Sequence, residues 1–300
     1  MTDAAIETRD LAKTYGRTVA LEALTMRVER GEVFGFLGPN GAGKTTAVKL
    51  LLGLARPSGG SGTVLGAPLG DRAVRGRVGY LPELFRYQPW LRAREVLTLH
   101  CELAGLPAAV RRGEIDSALA TVGLAERADS FVGTFSKGMQ QRLGLGVALL
   151  GSPELVVLDE PTSALDPVGR TEVRSIVRAV ADRGATVFLN SHLLGEVERI
   201  CDRVAIVDRG RVVASGRPSE LGGERGVRVV VHGLANAGSI ASSFGGVAAD
   251  GDGLRIACRR SAIPDLVAAL VSAGGRVDTV EPLRSSLEER FLEIVAADGR

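Results

Sequence analysis

Cysteine, lysine and aromatic side chains are all scarce in this 300-residue sequence. The three cysteines, Cys101, Cys201 and Cys258, are scattered and show no C-x-x-C spacing. An odd, dispersed set excludes a disulfide scaffold and argues against a metal role, so reduced core thiols in a cytosolic protein are expected. Long apolar runs are missing too. The greasiest stretch, Leu143 to Leu158, is broken by Gly144, Gly146, Gly151, Pro153 and Glu154, well short of the roughly 20 apolar residues a membrane helix needs. Met1–Ala5 has neither a basic nor an apolar leader, so no signal peptide is expected. Net charge is only +2, from 37 basic and 35 acidic residues, which does not indicate a nucleic-acid-coating surface. Only Lys13, Lys44, Lys49 and Lys137 interrupt the arginine-dominated basic set. A lysine inside a motif therefore stands out.

What is present is 45% hydrophobic and 24% charged residues, with the apolar ones spread over short Val/Leu/Ala runs that suit buried parallel strands and helices. The length fits two domains at roughly 150 residues each. Strand and helix patterns alternate: Val33–Leu37 before a helix from Gly43, Leu155–Leu158 before one from Val168, Val187–Leu189 before one from Leu194. That order argues a parallel α/β sheet. From about 83 to 150 the spacing turns helical, with Val96, Leu97, Leu99, Leu103, Ile115, Leu119 and Val122 as the apolar positions. Asp208–Arg211 reads as a hairpin turn, and Gly216–Gly226 as a boundary. The expected domains are thus 1–222, with a helical insert, and 223–300. The tail reads as a small α+β unit, ferredoxin-like in its alternation, closed by a helix over 285–296 with Leu287, Phe291, Leu292 and Val295 on one face.

Three segments carry chemistry. Gly38-Pro39-Asn40-Gly41-Ala42-Gly43-Lys44-Thr45 fits G-x-x-x-x-G-K-[ST] between a predicted strand and a predicted helix. Its backbone N–H groups and the helix N-terminus suit phosphate oxygens. Lys44 is then expected at the β- and γ-phosphates, Thr45 on Mg²⁺ and Thr46 at the α-phosphate. Next, the apolar strand Leu155–Leu158 ends in Asp159-Glu160. Seen alone, such a pair is often a turn. Beside a phosphate loop, and at the carboxyl end of a parallel strand, Asp159 suits the Mg²⁺ shell and Glu160 the polarisation of a water. Third, Phe135-Ser136-Lys137-Gly138-Met139-Gln140-Gln141-Arg142 begins a helix with Ser136 as its N-cap.

The third segment resembles the signature motif of ATP-binding-cassette proteins, in a form common among exporter ATPases. It departs at Phe135, Lys137 and Met139. The resemblance covers roughly residues 6–220, with the motifs in the family's order, and implies an α/β P-loop NTPase cassette with a helical insert, followed by the α+β tail. By that resemblance Tyr15 stacks on adenine, Ser163–Asp166 forms the loop between two nucleotide sites, and His192 contacts the γ-phosphate. Glu83 stands where many members carry glutamine. It is read either as a ligand of Mg²⁺ or the attacking water, or as a surface acid opening the insert. The family then implies ATP and Mg²⁺ as cofactors and a homodimer in which Ser136, Lys137 and Gly138 face the partner's nucleotide. It also implies an integral membrane permease on a separate chain and a location on the inner face of the cell membrane. No nucleic-acid partner is expected. Arginines with Phe85, Tyr87 and Trp90 suit the permease contact. The alternative is a soluble cassette ATPase acting on nucleic acid or ribosomes, for which the tandem cassettes or coiled-coil inserts are missing.

Overall fold

A computed structural model describes residues 4–163, 165–222, 224–284 and 287–298. Two compact units divide at Pro218/Ser219.

The first unit is built on a six-stranded sheet in the order Arg211–Gly216, Arg203–Asp208, Val33–Leu37, Thr186–Asn190, Leu155–Asp159, Val78–Leu81. Only the Arg211–Gly216 edge runs antiparallel; the other pairings are parallel. The three central strands are buried along their whole length. Their unbroken apolar runs follow from being covered on both faces. Rings of Phe34 and Phe36 pack on Phe188 at 6.0 and 5.3 Å between centroids. Helices Lys44–Leu51, Pro167–Asp182 and Leu194–Ile200 follow strands of this sheet.

A second, antiparallel sheet joins Thr18–Glu29, Ala4–Tyr15, Gly59–Val64 and Ala67–Pro68. Its long N-terminal hairpin is not visible as an alternating pattern, because register shifts between Thr8 and Leu11 and again before Lys13 reset the pleat. Each such irregularity swaps which face a side chain meets. Asp10, inside the first shift, takes a left-handed φ of 47°. The Gly- and Ser-rich stretch from Pro57 runs into the Gly59–Val64 strand.

The insert consists of helices Ala93–Leu103, Ala108–Thr121 and Lys137–Ala148. Val96, Leu97, Ile115, Leu119 and Val122 are buried as their spacing predicts. Leu99 and Leu103 are not: they are 40% and 74% exposed. The first insert helix therefore has apolar residues on two faces, only one of them covered.

In the tail unit, strands Gly246–Asp250, Gly253–Ala257, Glu224–His232 and Arg276–Arg284 form an antiparallel sheet in that order. With helices Ala237–Ala241 and Ile263–Ser272 between them, the chain order is β-α-β-β-α-β, the ferredoxin-like arrangement. Val227, Val229, Ala241, Ile256, Leu266 and Leu270 make its core. The closing helix is Leu287–Asp298; Leu287 is buried but Leu292 is 61% exposed, so the expected apolar face is not shared. Residues 285 and 286 of the expected helix, and the side chain of Val295, lie outside the description.

Candidate active site

The phosphate-loop segment leaves the buried strand Val33–Leu37 and enters the helix that starts at Lys44. Gly43 holds φ at 96°, in the left-handed region that favours glycine, and Gly38 packs so close to the carbonyl oxygen of Val207 that no Cβ would fit. The loop backbone thus turns into the helix N-terminus, with Ala42 N–H donating back to the carbonyl of Pro39 at 3.2 Å. Lys44 is buried and folds back along the loop, its Nζ donating to the carbonyls of Gly38 (2.7 Å) and Pro39 (3.2 Å). Burial holds this ammonium below the usual lysine range, against the opposing pull of Glu160, Asp159 and Glu83. Thr45 is exposed on the first helical turn, Thr46 partly so; Asn40 and Gly41 face solvent, Pro39 is half-buried and Ala42 is buried.

Asp159 and Glu160 sit at the carboxyl end of the neighbouring stretch of sheet, both buried. Burial raises the Asp159 carboxyl above its ordinary value, reinforced by Glu83 and Glu160 and countered by a hydrogen bond from Asn190 and by Lys44. Glu83 is exposed, yet its charge is felt at Asp159, Lys44 and Tyr80, so it shares their neighbourhood. Glu160 has a left-handed φ of 52°, and its N–H donates to the carbonyl of Asn190 at 2.8 Å. A non-glycine residue in that region is strained, and such strain clusters at functional sites. His192 Nδ1 lies 2.7 Å from Glu160 Oε1. Glu160 Oε2 and Asn190 Oδ1 are buried without a hydrogen-bond partner. These are oxygen donors of the kind a hard cation such as Mg²⁺ takes, directly or through its water shell. Among the described residues no cluster of three or more His, Cys, Asp or Glu could hold a metal ion by itself. The donor set therefore fits Mg²⁺ held jointly with nucleotide phosphates rather than in a protein cage.

A second group gathers elsewhere in the unit. Ser136 caps the Lys137–Ala148 helix, accepting from Met139 N–H at 3.2 Å, and Asp166 caps Pro167–Asp182, accepting from Gly169 N–H at 2.8 Å. Ser136, Lys137, Gly138, Leu165 and Asp166 line one groove of about 340 Å³. A Cβ on Gly138 would meet nothing closer than 3.9 Å, so the groove floor there is open. None of the phosphate loop lines this groove. Ala164, in the expected inter-site loop, lies outside the described residues. Tyr15 ends the first long strand, 47% exposed, with Lys13 Nζ 4.7 Å from its ring centroid.

One residue beside the Asp159 and Glu160 carboxylates, Asn190, is not among those the sequence singles out. Asn190 ends its strand opposite Asp159 in the parallel register, and its Nδ2 donates to Asp159 Oδ1. The available signal was a polar residue closing an otherwise apolar strand.

A phosphate loop entering a helix, with two carboxylates and a histidine at strand ends of a parallel sheet, defines a P-loop nucleoside triphosphate hydrolase. Known proteins narrow the class. The ABC transporter family matches residues 21–163. An uncharacterized ABC transporter ATP-binding protein of Nostoc sp. is 41% identical over 97% of this chain and 90% of its own length. Daunorubicin resistance ATP-binding protein DrrA3 of Streptomyces coeruleorubidus is 38% identical over 100% of this chain and 98% of its own. A solved ATP-binding subunit of an ABC transporter superposes with a TM-score of 0.65 at 33% identity, covering 72% of this chain and 91% of that one. The chain belongs to the ABC transporter family and is one of its ATP-binding, ATP-hydrolysing subunits.

Proposed function

We propose that the chain energises a membrane exporter, working as a homodimer of cassettes whose closure on ATP drives a permease carried on a separate chain. The observation that carries this reading is the convergence of Lys44, Asp159, Glu160 and His192 around one buried oxygen-rich cluster. Export is favoured by likeness along the full chain to a protein named for daunorubicin resistance. Among the described residues no helix is long and apolar enough to cross a membrane, so the spanning part is assigned to another chain and this subunit to the cytoplasmic face. The cassette is assigned to about 1–222 and an accessory domain to about 223–300, a few residues past the division between the compact units at Pro218/Ser219.

In this mechanism the loop Gly38–Gly43 and the helix start cradle the phosphates through backbone N–H groups. Lys44 exchanges the carbonyls of Gly38 and Pro39 for β- and γ-phosphate oxygens, and Thr46 contacts the α-phosphate. Thr45 and Asp159, with Glu83, hold Mg²⁺, which when bound neutralises charge on the phosphates. His192, with Nδ1 donating to Glu160 Oε1, steadies that carboxylate and stands at the γ-phosphate. Glu160 Oε2, buried and unpartnered, is left to accept from the attacking water. Tyr15 stacks on adenine. Ser136, Lys137 and Gly138, with Asp166 beside them, close over the nucleotide of the partner subunit.

Glu160→Gln tests the assignment. ATP turnover falls by about 100-fold or more, and ATP-bound dimers accumulate on size exclusion; unchanged hydrolysis removes Glu160 from the base role. Purification of the full chain from detergent-solubilised membranes recovers a multi-span protein, and recovery of ribosomes or DNA instead overturns the transport reading.

A further inference from the structure

Asn190 is 2% exposed and ends the strand whose register sets it opposite Asp159, beside Glu160. It does two things at once. Its Nδ2 donates to Asp159 Oδ1, and its backbone carbonyl accepts from Glu160 N–H at 2.8 Å. The first contact fixes which way the Asp159 carboxylate lies; the second holds Glu160 at its left-handed φ. The amide orientation is settled by chemistry, since an ionised carboxylate only accepts and the NH₂ must face it. That leaves Asn190 Oδ1 as a buried acceptor with nothing donating to it, as is Glu160 Oε2. Buried polar atoms are nearly always paired with protein or ordered water, so two orphan acceptors in one cluster mark the place of a donor.

We propose that Asn190 is a positioning residue for the cation: Nδ2 holds Asp159 Oδ1, turning its other oxygen to the Mg²⁺ shell, while Oδ1 accepts from a water of that shell. The inference rests on the proposed cation role of Asp159 and assigns a residue that itself touches neither metal nor nucleotide. Groups that orient metal ligands in this way commonly change metal affinity by about 10–100-fold when removed.

Threonine and valine at position 190 separate donor from shape, because they are nearly isosteric and both suit a strand. A threonine hydroxyl donates to Asp159 and accepts from water; valine does neither. The full-length protein is titrated with a fluorescent ATP analogue in EDTA and again at rising Mg²⁺, giving the affinity without metal and the gain the metal adds. For Asn190→Val the metal-dependent gain drops about tenfold or more, with the EDTA affinity and the melting temperature close to wild type. Asn190→Thr keeps most of the gain. Retention of the full gain in Asn190→Val overturns the proposal, as does an equal loss in Asn190→Thr. If Asn190→Val does not fold, Asn190→Ala is read on the same two affinities. Absence of any Mg²⁺-dependent gain in the wild type is a different failure: it removes the cation role of Asp159 itself.

Discussion

The two units spend their interiors differently. All the buried polar and charged side chains among the described residues, from Thr8 and Lys44 through Asp159, Glu160 and Thr162 to Thr186, Asn190 and Ser191, belong to the first unit. The tail buries valine, leucine, isoleucine, alanine and Cys258. Burying a charge is expensive unless it is paired. The first unit carries that cost in Lys44, Asp159 and Glu160, whose charges compensate one another only in part, and two acceptors stay unfilled. An interior kept partly unsatisfied is poised for a ligand; an interior of aliphatic side chains is poised only to stay folded.

The largest expected effect breaks the contrast on the polar side. Lys44→Met removes the one cation of the buried cluster, and ATP turnover falls by about 10²–10³-fold, read as steady-state phosphate release. A folded, active variant with wild-type turnover would show the cluster to be structural. On the apolar side, Ile256→Ala empties a fully buried position of the tail core and costs about 2–5 kcal/mol in urea unfolding of that unit. Nucleotide affinity of the first unit stays unchanged, and a parallel loss of affinity would end the separation of roles.

The smallest effect concerns the first unit's ion pairs rather than its core. Glu154, just before the strand Leu155–Asp159, accepts from both Arg77 and Arg30, and these hold its carboxyl well below the ordinary 4.5, at about 2. A depressed folded value means the pairing stabilises above the unfolded value and fades as pH falls from 4.5 through about 2. The side chain is 41% exposed, so solvent screening keeps the contribution below about 1 kcal/mol. The difference in melting temperature between wild type and Glu154→Gln is small at pH 7, shrinks below pH 4.5 and vanishes near pH 2. A difference that grows with acidity contradicts the pairing.

Local chemistry was legible in the sequence where it is contiguous. The Gly38–Thr45 loop, the Asp159-Glu160 pair and the Ser136 cap are each written in neighbouring residues, and each lies at the expected end of its strand or helix. The core strands were legible for a related reason: residues buried on both faces leave an apolar run. Register was not. Asn190 meets Asp159 across 31 residues of chain, and nothing in a one-dimensional reading says which strands become neighbours. The N-terminal hairpin escaped because its irregular pairing disrupts the period of two. Leu99 and Leu103 have the spacing of a covered face without the cover, since periodicity reports which residues share a side and not whether anything packs there.

Strand order also sets a schedule on the ribosome. Val33–Leu37, which delivers the phosphate loop, is translated early, yet its two lateral neighbours are Thr186–Asn190 and Arg203–Asp208. At roughly 5–20 residues per second, the strand waits about 8–30 s for its first sheet partner, whereas the preceding hairpin Ala4–Glu29 pairs within itself at once. The nascent chain thus carries an apolar strand, still without its sheet neighbours, beside a hairpin that can already close, through about half of its synthesis.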